Sequence, residues 1–138
     1  MMKEKKIFQP LTSKNVCQIY ELLVKHELVS FTITPDGISK VEALVANITN
    51  AYFGEEIYKS TEEKVVAYLY FLIKDHPFID GNKRTACLTF EVACAVNDLS
   101  PNYKGLGLDS LAVFIEKIQE PNHHETIKSL VRILFHIT

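Results

Sequence analysis

Residues 73–90 read IKDHPFIDGNKRTACLTF, and the interpretation of this stretch decides the rest of the chain. Between His76 and Arg84 a histidine, a proline, an aspartate, a glycine, an asparagine, a lysine and an arginine crowd together, and an apolar run of helical period follows at once. A glycine followed by Asn-Lys-Arg at a helix start leaves backbone N–H groups without intrahelical acceptors, and the helix dipole adds about half a positive charge there. Such an end attracts anions, phosphates above all. Lys83 and Arg84 add full charges, Arg84 with a two-pronged geometry, and Asn82 adds a neutral amide donor.

Asp80 would repel a phosphate unless a divalent cation lay between them. Mg²⁺ suits that place, because it prefers oxygen ligands and is commonly shared between a carboxylate and substrate phosphates. His76 is suited to take a proton from an attacking hydroxyl, since histidine ordinarily titrates near about pH 6.5. Phe78, between the two, would anchor the loop in the core. A plainer interpretation is also open: Asp80 as an N-cap, Gly81 as a turn residue, Lys83 and Arg84 as the solvated face of a helix. A second phosphate-loop candidate, FGEEIYKST at 53–61, fails because Tyr58 stands where a Walker A loop needs the glycine before Lys59.

Outward from this centre, STEEKVVAYLYFLIKD (60–75) opens with Ser60 and Glu63 in capping-box spacing and predicts a helix leading into the loop. The helix behind the loop runs from about Asn82 to Val96, with Ala86, Phe90, Ala93 and Val96 turned toward a core. Near the N-terminus, SKNVCQIYELLVKHEL (13–28) places Val16, Ile19, Tyr20 and Leu23 on one face, with Thr12 or Ser13 as N-cap. SKVEALVANI (39–48) repeats the capping-box spacing with Ser39 and Glu42. DSLAVFIEKIQE (109–120) ends at Pro121, and a last helix begins at Asn122 and keeps its apolar period through IKSLVRILFHI (127–137). Only VSFTIT (29–34), followed by the turn signal PDG, alternates and is rich in β-branched residues, which predicts a strand. The expected fold class is therefore all-α, about six helices with a small β-hairpin. No repeat, low-complexity tract or linker divides residues 1–138, so a single domain is expected.

Composition narrows the function classes. With 15 Lys and Arg against 17 Asp and Glu, the net charge is -2, so no general basic field invites nucleic acid and any anion site must be local. A hydrophobic content of 47% over 138 residues is enough for one core. Cys17, Cys87 and Cys94 show no paired spacing and predict buried thiols in a reducing compartment. The basic start MMKEKKIFQP is followed by no apolar signal core, and no run approaches the roughly 18 apolar residues of a membrane span. The expected location is the cytoplasm.

The segment HPFIDGNKRTA (76–86) closely resembles the signature of the Fic/Doc (Fido) family, His-x-Phe-x-Asp/Glu-Gly/Ala-Asn-Gly/Lys-Arg, which joins two helices of an all-α domain. AYFGEEIYKSTEEKVVAYLYFLIKD (51–75) resembles the loop and helix that precede this motif in the death-on-curing (Doc) branch. The resemblance implies that His76 is the general base for a hydroxyl of a target protein. It implies that Asp80 is the Mg²⁺ ligand, that Gly81, Asn82, Lys83 and Arg84 grip the phosphates of ATP or another nucleoside triphosphate, and that Phe78 is the buried anchor. Residues from about Asn47 to Tyr58 lie where the family has a flap that aligns the target backbone. AMP-transferring members usually carry glycine at the position of Lys83 and a second arginine at that of Cys87. Both differences are similar to the Doc branch, whose toxins transfer the γ-phosphoryl group to a threonine of elongation factor Tu and are restrained by a separate antitoxin. Doc itself has alanine in place of Gly81, so AMP transfer and a catalytically silent binding module stay as alternatives. No glutamate follows a Ser or Thr by four residues, so the inhibitory-helix pattern of many Fic proteins is missing from the sequence.

The remaining candidates are weaker. His123 and His124 are adjacent, so their side chains diverge by about 100° on a helix and are poorly placed to share a metal. His26 and His136 stand near helix ends, where a capping role is expected. Cys87 is expected as a small core thiol. Tyr68, Tyr70 and Phe71 precede the motif at helical spacing; Phe71 is expected in the core, while either tyrosine is a candidate to line a nucleotide pocket.

Overall fold

The computed structural model describes residues 7–49, 51–52, 55–119 and 121–136. Six α-helices are present among them: α1 (Ser13–Lys25), α2 (Pro35–Thr49), α3 (Thr61–Lys74), α4 (Asn82–Val96), α5 (Leu108–Lys117) and α6 (His123–Val131), the last continued by a π-helical turn, Arg132–His136. The all-α expectation is met. Three local caps set helix starts where the sequence indicated them. Thr12 and Asn15 close a reciprocal capping box on α1, the Ser60 hydroxyl accepts from the Glu63 N–H at 3.0 Å, and the Asn122 amide oxygen accepts from the Glu125 N–H at 3.1 Å. Each such cap contributes about 1 kcal/mol to the helix it starts.

α3 lies at the centre and packs against α2, α4, α5 and α6. Its residues Lys64–Tyr70, Leu72 and Ile73 are all buried, as expected of a helix that is apolar around its whole circumference. α4 packs on α3 and is flanked by α1 and α5. Val16, Tyr20, Leu44, Ile48, Phe90 and Ile127 belong to one continuous core cluster. The Tyr68 hydroxyl ties the segment before α1 to α3, accepting from the Leu11 N–H at 3.0 Å and donating to the Leu11 carbonyl at 2.7 Å.

Several expectations are corrected. VSFTIT forms no strand; residues 29–34 are irregular, and the following PDG starts α2. Thr34 caps that helix through a 3.0 Å bond from the Gly37 N–H, and Pro35 takes the first helical position, where a missing N–H costs nothing. Ser39 and Glu42 consequently lie inside α2. The β-branched residues of 29–34 have no neighbouring strand to pair with, so their propensity finds no ladder. The only strand pair among the described residues lies elsewhere, Ala51–Tyr52 antiparallel to Glu55–Glu56. It falls within the expected flap segment 47–58, of which residues 50, 53 and 54 lie outside the described residues. Val96 is exposed at the end of α4, and α5 stops at Lys117. Cys94 is buried, but Cys17 and Cys87 are only half-buried; all three are free thiols. Among the described residues no helix is long and apolar enough to cross a membrane.

Candidate functional site

The loop from Asp75 to Gly81 joins the two central helices, and its shape follows from a few contacts. Asp75 ends α3, its N–H bonded to the Phe71 carbonyl at 2.9 Å. His76 then adopts φ 49°, a left-handed conformation uncommon for a residue with a side chain. Phe78 turns inward and stacks on Tyr20, ring centroids 4.0 Å apart and planes 12° from parallel. Gly37 lets α2 approach this loop, since a Cβ there would stand 2.9 Å from the Pro77 carbonyl oxygen. Gly81 has φ 80°, and a Cβ on it would land on the Val29 side chain, so both backbone conformation and space call for glycine.

Gly81, not Asp80, occupies the N-cap of α4, and no side chain caps that helix. Its first N–H groups thus lack the side-chain acceptor that Thr12, Ser60 and Asn122 supply elsewhere. This removes the plainer interpretation of Asp80 and leaves the start of α4 as an anion-attracting end. His76, Ile79, Asp80, Gly81, Asn82, Lys83, Arg84 and Glu116 line one cavity of about 360 Å³ around it. The five polar residues singled out in the sequence and Gly81 therefore meet at one place, with Phe78 beneath them as anchor.

The side chains differ in what they offer. Asn82 is almost wholly buried, and its amide is spoken for: Oδ1 accepts from the Phe78 N–H at 2.9 Å, while Nδ2 donates to the Phe78 carbonyl at 2.8 Å and to His76 Nδ1 at 2.9 Å. Because the oxygen must face the Phe78 N–H, the nitrogen is fixed as the donor, and His76 Nδ1 is the acceptor. The neutral imidazole then carries its proton on Nε2. Asp80 is exposed and makes no ion pair among the described residues. Arg84 Nη1 donates to the Leu28 carbonyl in the turn that follows α1.

Lys83 Nζ lies 2.7 Å from Glu116 Oε2, an acid from α5 that sequence reasoning missed. The hydrogen bond from Lys83 holds the Glu116 carboxyl below its usual range, with the nearby positive charges of Lys83, His76 and Lys117 adding to the effect. No local signal marked Glu116, because it reaches the site only through the packing of α5 on α4.

Other candidates fall away from the cavity. Tyr68 is fully buried on Leu11, and Tyr70 meets His123 Nδ1 at 2.6 Å, so neither lines the site. His124 instead faces Glu63 at 3.6 Å, so the two histidine rings meet different partners. His26 ends α1 through its backbone N–H. Cys87 lines an adjoining apolar hollow of about 560 Å³ that shares Lys83 and Arg84 with the anion site. Burial pushes its thiol up to about 11, helped by Glu91 and Asp109, which keeps it protonated and a poor nucleophile. A larger hollow of about 920 Å³, between Ile7, the start of α3 and the end of α4, contains none of the loop's residues.

A sequence model of the Fic/DOC family matches residues 10–94. The chain belongs to the Fic/DOC family. The match takes in α1 through most of α4, with the whole His76–Arg84 loop, and stops short of α5 and Glu116. Searches of the curated proteins and of the solved structures return no match. Fic/DOC proteins generally transfer nucleotidyl or phosphoryl groups to proteins and typically use a nucleoside triphosphate with Mg²⁺. Asp80 offers such a cation one carboxylate at the cavity edge, a donor of the oxygen type that Mg²⁺ prefers.

Proposed function

We propose that this Fic/DOC protein is a Doc-like transferase that passes the γ-phosphoryl group of ATP, or another nucleoside triphosphate, to a Ser or Thr hydroxyl of a target protein. The observation that carries the reading is the convergence of His76, Asp80, Lys83 and Arg84 on one cavity over the uncapped start of α4. In this reading the backbone N–H groups of α4, Lys83 and Arg84 hold the phosphate chain, and Asp80 would hold Mg²⁺, which neutralises phosphate charge when bound. The hydroxyl oxygen forms a bond to the γ-phosphorus, the bond to the β–γ bridging oxygen breaks, and a nucleoside diphosphate leaves. His76 receives the hydroxyl proton. Its available lone pair is on Nδ1, so proton uptake displaces the Asn82 amide hydrogen, and Asn82 acts on the base more than on the phosphates.

Lys83 and Cys87, in place of the glycine and second arginine of AMP-transferring members, support phosphoryl transfer; Gly81 is the feature that keeps AMP transfer in view. Elongation factor Tu is the first target to assay, and a separate antitoxin is the expected restraint. Incubating a lysate with the protein and [γ-³²P]ATP or [α-³²P]ATP tests the assignment. Label on protein from the γ position alone is expected. Label from the α position establishes AMP transfer instead, and no label from either leaves a binding module.

A further inference from the structure

Glu116 is the one acidic side chain of the cavity that lies beyond the family match. Its placement is built in. Ile115 beside it is fully buried, Ile118 ends α5 with its N–H on the Phe114 carbonyl at 3.1 Å, and Lys74 at the end of α3 donates to the Ile118 carbonyl. α5 is thereby pinned to the helix that feeds the His76 loop, and the Glu116 carboxylate is held opposite Lys83 at 2.7 Å.

The consequence is electrostatic. Lys83 and Arg84 are balanced in the cavity by Asp80 and Glu116, so its side chains carry no net charge when His76 is neutral. A metal-free phosphate chain gains little there, because it must draw Lys83 from its partner and then face the exposed carboxylate at close range. A divalent cation arriving with the phosphates reverses this, since both carboxylates then face positive charge. We propose that Glu116 is a specificity-determining residue: by occupying Lys83 it makes the cavity accept a phosphate chain in company with a divalent cation and discriminate against the metal-free anion. This rests on the reading of the cavity as a nucleotide phosphate site.

Titration calorimetry of the full chain with ATP, once in excess EDTA and once in Mg²⁺, tests it on binding alone. Glu116→Gln keeps the shape of a half-exposed side chain and removes the charge. It is expected to raise affinity for metal-free ATP by about fivefold or more while changing affinity for Mg·ATP by less than about twofold. Measured against Lys83→Met alone, Lys83→Met/Glu116→Gln is expected to gain less than Glu116→Gln gains over wild type, because the carboxylate repulsion is still relieved but no ammonium remains to be released. Equal changes for both forms of ATP, or a loss for the metal-free form, overturn the role of Glu116 and leave the nucleotide site standing. Failure of both wild type and Glu116→Gln to bind either form overturns the nucleotide reading, and this inference with it.

Discussion

Helix α4 has a buried asparagine at each end, and both use the amide in nearly the same way. At the C-terminal end Asn97 accepts from the Gln9 N–H at 2.7 Å and donates to the carbonyls of Gln9 and Ala93 at 3.0 and 2.8 Å. At the N-terminal end Asn82 accepts from the Phe78 N–H and donates to the Phe78 carbonyl, but its third partner is the imidazole of His76. One brace therefore serves architecture alone, while the other also decides where a titratable ring carries its proton. The difference is one acceptor atom: a carbonyl oxygen has a single chemical state, whereas an imidazole nitrogen accepts only when unprotonated.

The largest effect is expected where the two ends differ. His76→Ala should reduce transfer by about 10²–10⁴ in rate while leaving nucleotide affinity and the denaturation midpoint close to wild type. A variant that keeps more than about a tenth of wild-type transfer in the ³²P assay removes the base from His76. Replacing the braces themselves comes next. Asn82→Ala should cost about 2–3 kcal/mol in urea denaturation, since it leaves the buried Phe78 N–H without its partner, and Asn97→Ala less, because the exposed Gln9 backbone can turn to water. Only Asn82→Ala should slow transfer beyond what its stability loss accounts for. Asn82→Asp sharpens the contrast: a carboxylate accepts and does not donate, so His76 should shift its proton to Nδ1, which imidazole ¹⁵N chemical shifts read directly. An unchanged ring spectrum breaks the comparison.

A smaller effect is expected at Arg84, which addresses outer phosphates in the proposed function. Arg84→Ala should weaken ATP by about tenfold and AMP by much less, as measured by calorimetry. Equal losses count against that role. The smallest effect concerns Glu116 and pH. Its carboxyl is depressed in the folded protein by Lys83, so the stabilisation is present above the ordinary carboxyl value of 4.5 and is lost as pH falls through the lower folded value. Thermal melts should show a slightly steeper loss between pH 6 and pH 3 for wild type than for Glu116→Gln, and the difference should shrink in high salt because the pair is solvent-exposed.

How much of this was legible depends on the range over which each feature is decided. Thr12, Ser60 and Asn122 were readable as caps because a cap bonds a backbone group three residues away, whereas α4, which no side chain caps, was readable from Gly81 and its apolar period. The VSFTIT segment was misread because strand propensity has an outcome only when a partner strand is present. Ser39 and Glu42 had the spacing of a cap, yet Thr34 and Pro35 started the helix earlier.

The site divides along the same line. By itself the sequence determined that His76 and Asp80 in one short loop stand next to Lys83 and Arg84 at the start of the following helix, since covalent connection keeps neighbours together whatever the fold. Tertiary structure alone decided that Asn82 turns inward to brace Phe78 and His76, that Gly81 meets Val29, and that Glu116, 33 residues from Lys83, closes on it. Those three depend on which helices pack side by side, and packing sums many weak apolar contacts over the whole chain, so no short stretch of residues carries it.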